Sequence, residues 1–487
     1  MRKFLLVIPA VLVLGALMGC SSGAKFTGYC SLSCQDPSQP PPPPTPEITS
    51  IFPDMAVEGG PAFTLTVYVY GFTVSSASPI LWNGNALPTT VVSPTELQAQ
   101  VPAAEIATLH TVSIKVTGAY NTESFTIESN NGFTFSSAGI QANDMVWDPI
   151  SQQIYLSVPS TNGTNGNTIT ALDPLNGQLG ISQNAGSEPD QLALASGGSY
   201  LYAGINGSAS VQRFTLPGLG LDINIPLGSN PYSGPYYAMD VEAAPGSPHT
   251  IAVVRGSAQL TPSEEGVVIY DDAVARPTTV PGFGSLGGTG TVDSIQWGSN
   301  ATQIYGEDYE TSSFDFYVLS VNSSGVQVTN DYPGVFNMGG AKLHYDATTG
   351  YVYSDGGQAV NPSTGALVGK YIDAIGVMTT KGCSMKYGGC VMVPDGTLGF
   401  AYFLGQTQAE AGGFDYTLEA FDLKTFAPIN FIVIPGVGGV PYRLIRWGTN
   451  GLALLTRGNG TSSSTNQPNP SPESDVYLIS GTFVTNP

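Results

Sequence analysis

An all-β chain, a small β-sandwich followed by a seven-bladed β-propeller, is what this sequence predicts, on three observations. The first is a recurring strand–turn–strand frame. MVWDPISQQIYLSV (145–158) reads as two short strands around a turn, with Trp147 closing the first and Tyr155 eight residues later in the second. The same frame pairs Leu194 with Tyr202, Ala244 with Ala252, Trp297 with Tyr305, Tyr345 with Tyr353, Val393 with Ala401 and Trp447 with Leu455. Its anchors at 147, 194, 244, 297, 345, 393 and 447 step by 47, 50, 53, 48, 48 and 54 residues. A period of about fifty residues in such units marks a propeller. The second observation is a further pair of apolar runs after each frame, as in NTITALDPLNGQL (167–179) and DFYVLSVNSSGVQV (315–328), which makes each unit a four-stranded blade. The third is composition: 60 Gly and 37 Pro in 487 residues, set among strand-like runs, suit a chain with many turns.

The chain begins with a targeting segment, residues 1–19. Arg2 and Lys3 form a charged start, and Phe4 to Met18 is an apolar run broken by Pro9, too short to span a bilayer comfortably. It ends in Leu17-Met18-Gly19-Cys20, which resembles the lipobox of bacterial lipoproteins. The resemblance implies that Cys20 becomes the lipidated first residue of the mature protein, held at a membrane by acyl chains without a crossing helix. An ordinary secretory signal with a chance cysteine is the alternative. Ser21 follows Cys20 where Asp would signal inner-membrane retention, so the resemblance points to the outer membrane.

Residues 20–46 read as a tether. Five consecutive prolines, Pro40 to Pro44, favour polyproline II at about 3.1 Å per residue, a stiff spacer. Cys30 and Cys34 lie in it and form one candidate disulfide pair. Cys383 and Cys390, in KGCSMKYGGC, form another, whose short loop closure is worth roughly 2–3 kcal/mol. Metal ligation by these cysteines needs histidine nearby, and His110, His249 and His344 are far apart in sequence.

Residues 47–130 form the sandwich. FTLTVYVYGF, ILWNG, ELQAQVP, HTVSIKVTG and SFTIES alternate apolar and polar positions, with turn residues between them. Pro46-Glu47-Ile48-Thr49-Ser50-Ile51-Phe52-Pro53, then Gly59-Gly60, Tyr70-Gly71-Phe72, Trp82-Asn83-Gly84, Ser93-Pro94-Thr95-Glu96-Leu97 and Val101-Pro102-Ala103 resemble the pattern of IPT/TIG domains. That resemblance implies an immunoglobulin-like spacer or adhesion module and brings no catalytic residue.

The propeller occupies 139–487. Asp173-Pro174-Leu175-Asn176-Gly177 and Asn361-Pro362-Ser363-Thr364-Gly365 suit tight hairpins. Ser187-Glu188-Pro189-Asp190-Gln191-Leu192-Ala193-Leu194 with Tyr200-Leu201-Tyr202 resembles the YVTN/NHL-type repeat. The last repeat ends at SDVYLISGTFV (474–484) and lacks a strand. NGFTFSS (131–137) either supplies it or ends the sandwich. The polar insertion 458–474 reads as a loop over one face.

Little in the chain carries chemistry. Trp147, Trp297 and Trp447, with Tyr345, share one repeat position, which packing between blades demands and sugar stacking does not. Asp190, Asp240 and Asp293 lie four residues before their anchors and Asp144 three before, so these carboxylates are expected at one mouth of the central channel. They are candidates for Ca²⁺, the one cofactor considered; accepting hydrogen bonds from loop N–H groups is the alternative. Gly282 to Gly287 matches G-x-G-x-x-G, but a strand follows where a dinucleotide site needs a helix. Glu307, Asp308 and Glu310 read as a solvated acidic loop, with an acid–base pair for glycoside cleavage as the alternative, and Tyr232, Tyr236 and Tyr237 as an aromatic loop that is either a ligand platform or blade-to-blade packing. There is no G-x-S-x-G elbow, and three scattered histidines leave little for a nucleophilic triad.

Charge narrows the partners. The chain has 15 Lys+Arg against 36 Asp+Glu, a net of −21, which argues against nucleic acid or an anionic membrane surface. The expectation is an exported, lipid-anchored envelope protein, without cofactor or catalytic residue, whose propeller binds a protein or glycan. A polysaccharide lyase or hydrolase using the channel aspartates, and a periplasmic assembly scaffold, are the alternatives.

Overall fold

The computed structural model describes residues 45–487 except 61, 129–132, 284–290, 337–341, 372–390, 409–413, 435–436 and 459–473. The signal segment, the tether up to residue 44, Cys20, Cys30, Cys34, Cys383, Cys390 and most of the 458–474 insertion lie outside the described residues. Among the described residues no helix is long and apolar enough to cross a membrane.

Two sheets build the sandwich. One orders Glu47–Phe52, Phe63–Tyr70, Glu96–Val101 and Thr89–Ser93. The other orders Met55–Val57, Glu123–Glu128, His110–Val116, Ile80–Trp82 and Asn85–Ala86. In His110–Val116 the strict alternation of the sequence puts Val112, Ile114 and Val116 inside, and they meet Leu65, Val67, Leu97 and Phe125 from both sheets. The Trp82 and Phe125 rings lie 5.0 Å apart at the centre. Gly71 has φ +82°, and a Cβ there would sit 2.5 Å from the Thr45 carbonyl oxygen, so glycine lets the chain entering the domain pass close by.

Seven antiparallel sheets follow, each of four strands, with the outer strand of the third blade split into two short pieces. Their inner strands are Asp144–Asp148, Pro189–Leu194, Tyr237–Ala243, Ser294–Trp297, Leu343–Asp346, Val391–Asp395 and Val440–Trp447. Each inner strand packs on the next, and the seventh packs on the first, so the ring is closed. This is the all-β architecture expected from the repeat.

The tyrosine of the frame explains the period. Tyr155 is buried among Leu192, Leu201 and Phe214 of the next blade. Tyr202 packs against blade three and donates to the Pro248 carbonyl at 2.8 Å. Tyr305 and Tyr353 repeat this against blades five and six. In blade six the register moves the position by one, and Tyr402 fills it rather than Ala401. Blade three has Ala252 there, and the space is taken from the other side by Trp297 of blade four, whose indole N–H donates to the Glu242 carbonyl at 3.1 Å. A wedge-shaped gap between blades requires a large ring from one side or the other, which is why these aromatics are buried packing groups. Trp147 and Tyr345 are partly exposed, and Trp147 leans on Trp447, 6.4 Å between ring centroids.

The ring is closed by strands from the two ends of the propeller segment. Phe133–Ser137 pairs antiparallel with Val476–Gly481 as the outer strand of blade seven, and the Phe135 ring stacks on Tyr477 at 5.2 Å. A chain shortened to begin at Gly139 is therefore expected to melt well below one that begins at residue 129, since only the first leaves a bare edge on Val476–Gly481. Thermal unfolding of the two by circular dichroism checks this, and equal midpoints would show that the closing strand adds nothing.

Candidate functional site

The inner strands start at one mouth of the channel, and the charged residues gather there. In blades two, three and seven the inner strand slips register at its start, between Pro189 and Leu192, Ala238 and Asp240, and Pro441 and Arg443. Such bulges re-aim side chains. Here they involve Asp190, Gln191, Asp240, Tyr442 and Arg443.

The structure places the four predicted aspartates at this mouth, and all are almost completely buried. Each is held by its own partners. Asp144 accepts from the Leu192 N–H of the next blade at 2.8 Å and pairs with Arg443 Nε at 3.1 Å. Asp240 accepts from the Ile295 N–H at 2.9 Å, again one blade on, and pairs with Lys342. Asp190 accepts from Asn206 Nδ2 at 3.0 Å and pairs with Arg457 at 3.2 Å. Asp293 Oδ2 accepts from the N–H groups of Tyr309 and Glu310, both at 2.7 Å, and from Thr291 Oγ1 at 2.8 Å. Among the described residues no three His, Cys, Asp or Glu side chains gather in a way that could hold a metal ion.

No motif in the sequence marks the bases at this mouth. Arg443 stands four residues before Trp447, and Lys342 three before Tyr345, which are the frame positions of the aspartates. Lys342 reaches across the ring from blade five to Gln191 of blade two at 2.8 Å, and Gln191 Nε2 donates to the Tyr442 hydroxyl of blade seven at 3.1 Å. Arg457 lies over the Tyr442 ring, 3.3 Å from its centroid. Burial alone would lower the Lys342 ammonium, but Asp240 beside it prevails and holds it above its ordinary value. Burial raises Asp190 against the pull of Arg457. Glu242, two residues beyond Asp240 and partly exposed, is pushed up to about 8 by burial first and then by Asp240.

A second acidic group lies behind the mouth. Glu264 is buried, and burial first, then Asp293, push it up to about 9 against the opposing pull of the Gly266 and Phe283 backbone N–H groups. Asp293 rises well above its usual range from burial and from Glu310. The expected solvated acidic loop is thus inside the protein. Glu307 accepts from Ser354 Oγ at 3.2 Å, and Asp308 takes Thr291, Thr311 and Ser313. The tyrosine loop divides: Tyr232 is 97% exposed, Tyr236 lies under Arg255 at 4.6 Å, and Tyr237 is buried. Of the G-x-G-x-x-G run, 284–287 lie outside the described residues.

Residues 46–135 match the IPT/TIG domain family. No curated protein matches the chain in sequence. Among solved structures, the β-propeller domain of Myceliophteria thermophila Cps50 (Swd1) is 10% identical, covers 69% of this chain and 96% of its own, and superposes with a TM-score of 0.48. Kuenenia stuttgartiensis hydrazine synthase is 11% identical, covers 71% of this chain and 88% of its own, with a TM-score of 0.34. The blade count stands on the chain's own strand pairing.

Proposed function

We propose that this is a lipid-anchored protein of the bacterial cell envelope, in the outer membrane, whose propeller is a non-catalytic binding module for a protein or glycan. The IPT/TIG sandwich and proline tether hold it off the bilayer. The observation that supports this reading best is the state of the mouth carboxylates: Asp144, Asp190 and Asp240 are each spent on a cation, and Asp144 and Asp240 also on a neighbouring blade's N–H. A glycosidase acid–base pair needs carboxyl groups facing a substrate, so this engagement favours a rigid recognition surface over a reaction centre. The YVTN/NHL-like repeat belongs to the same reading.

Two measurements test it. Cys20→Ala is expected to move the chain from the membrane to the soluble fraction and to abolish incorporation of labelled palmitate; unchanged fractionation would refute the anchor. The full chain in detergent, presented to glycan arrays and to intact-cell extracts, is expected to retain a ligand without altering it. Turnover of a bound polysaccharide would overturn the non-catalytic reading.

A further inference from the structure

Three loops at the mouth end of blade three are fastened to one another beneath, and each lifts a large apolar side chain into water. The hairpin 229–235 pairs Ser229 with Pro235 and carries Tyr232, which is 97% exposed. The loop 257–263 closes on itself, the Ser257 N–H donating to the Ser263 carbonyl at 2.8 Å, and carries Leu260, 41% exposed. The short strand Val280–Pro281 pairs with Gly266 and Val267 and leads to Phe283, 45% exposed.

Polar side chains turned inward make the fastenings. Asn230 Nδ2 and Ser233 Oγ both donate to Glu265 at 3.1 Å, and Asn230 Oδ1 accepts from the Tyr232 N–H at 2.8 Å. Ser257 Oγ donates to the Ser233 carbonyl at 3.1 Å, which joins the first two loops. Ser263 gives its N–H and its hydroxyl to Glu310 at 2.5 and 2.6 Å, which ties the second loop to blade four. A Cβ on Gly282 would lie 2.8 Å from the Glu265 Cα, so the third segment runs directly against the residue that holds the first. Tyr232 is thus presented by backbone that is already ordered, and a partner that takes up its ring bears little of the cost of fixing a loop.

Two features say what fits. The first is charge. Residues 229–235, 257–263 and 281–283 contain no Asp, Glu, Lys or Arg, in a chain of net charge −21. Glu265 and Glu310 stand partly exposed at the foot of this neutral top. A surface with an uncharged centre and basic residues around it is complementary to that arrangement, and a second copy of this acidic chain is not. The second feature is what faces water. Ser233, Ser257 and Ser263 are buried, and the exposed side chains are mainly Pro231, Tyr232, Pro235, Leu260, Pro281 and Phe283. Sugar recognition needs several polar groups placed beside the ring, and here most of them point down into the fastenings. A rigid tyrosine among serine, glycine and asparagine is the chemistry by which antibody loops grip proteins.

We propose that this platform over blade three docks a protein, the Tyr232 ring entering an uncharged pocket ringed by basic residues and Leu260 and Phe283 covering apolar surface beside it. This rests on the binding-module reading above and names its partner class and the face it uses.

The test places the photoreactive residue p-benzoylphenylalanine at position 232 of the full chain in its own cells, and at position 274 as control. Val274 is 69% exposed and lies in the turn at the far end of Glu264–Asp271, away from the platform. On irradiation, position 232 is expected to join one protein about tenfold more strongly than position 274, and Leu260→Ser with Phe283→Ser is expected to cut that yield about fivefold. In broken cells the yield is expected to fall as salt is raised. Near-ultraviolet circular dichroism confirms that the altered chains are folded. No adduct at 232, equal yields at the two positions, a yield that the folded double variant keeps, or one that salt does not lower would overturn the platform and leave the module reading intact. An adduct that is carbohydrate, two copies of this chain joined together, or binding of the Cys20→Ala chain to phosphatidylcholine vesicles that Tyr232→Ser abolishes would likewise overturn the protein partner alone. No adduct at 232 together with no ligand retained from glycan arrays or cell extracts would overturn both.

Discussion

Replacing Lys342 by methionine is expected to destabilise the fold by about 3–5 kcal/mol, the usual cost of stranding one partner of a buried ion pair. The Lys342 side chain is 8% exposed and that of Asp240 2%, and the ammonium also serves Gln191 across the ring. Without it, Asp240 keeps hydrogen bonds from Val241, Ile295 and Ser294, which place the loss at the lower end of that range. The double change Lys342→Met with Asp240→Asn removes both charges and is expected to recover a large part of the loss. Urea unfolding of the parent, both single variants and the double variant at pH 7 measures the coupling. A single-variant loss under 1 kcal/mol, or a double variant no better than Lys342→Met, would show that the cross-ring pair does not clamp the blades.

Glu264→Gln is expected to stabilise the protein, and to do so only above mildly acidic pH. The carboxyl rises from an ordinary 4.5 to about 9 because it is buried beside Asp293. Between those two values the folded state holds a proton that the unfolded chain has released. Folding then takes up a proton, so stability falls as pH rises from about 4.5 and stops falling above about 9. One proton corresponds to a slope of at most about 1.4 kcal/mol per pH unit. Glutamine has the same shape and no proton to lose. At pH 8 it should therefore gain on the order of a few kcal/mol over the parent, and at pH 4 almost nothing. Unfolding midpoints at pH 4, 6 and 8 give the comparison. Parallel pH profiles for parent and variant would mean that Glu264 keeps its ordinary acidity. Asp293 moves in the same direction, so some slope is expected to survive in the variant.

The ring was legible because its cause is periodic: the gap between adjacent blades must be filled once per blade, and Tyr155, Tyr202, Tyr305 and Tyr353 do so at one place in the frame. Where the filler changes sides, as with Ala252 and Trp297, the written frame still finds the strands but not the packing. The aspartates were legible in position and less so in meaning. Their spacing placed them at the mouth, but their partners come from other blades: Arg457 is 267 residues from Asp190 and Lys342 is 102 from Asp240. Lys342 and Arg443 occupy the aspartate frame positions with opposite charge, and that substitution was the available signal. The acidic loop 307–310 misled because a charge run usually faces water. Here the hydroxyls of Ser354, Thr311 and Ser313 and the N–H of Thr311 take its place.

The blade-seven seam also governs when the protein can become itself. Thr134 and Ser480, neighbours across that seam, are 346 residues apart. Whatever order the blades form in, Phe133–Ser137 must wait for Val476–Gly481, more than three hundred residues later, to emerge before it finds its partner. Contacts of such long range are slow to make, and every strand edge left bare meanwhile invites another chain. Maturation of this molecule is thus a race between zipping that seam and aggregation, which makes the Phe133–Ser137 and Val476–Gly481 strands the place where a lost pairing does most harm.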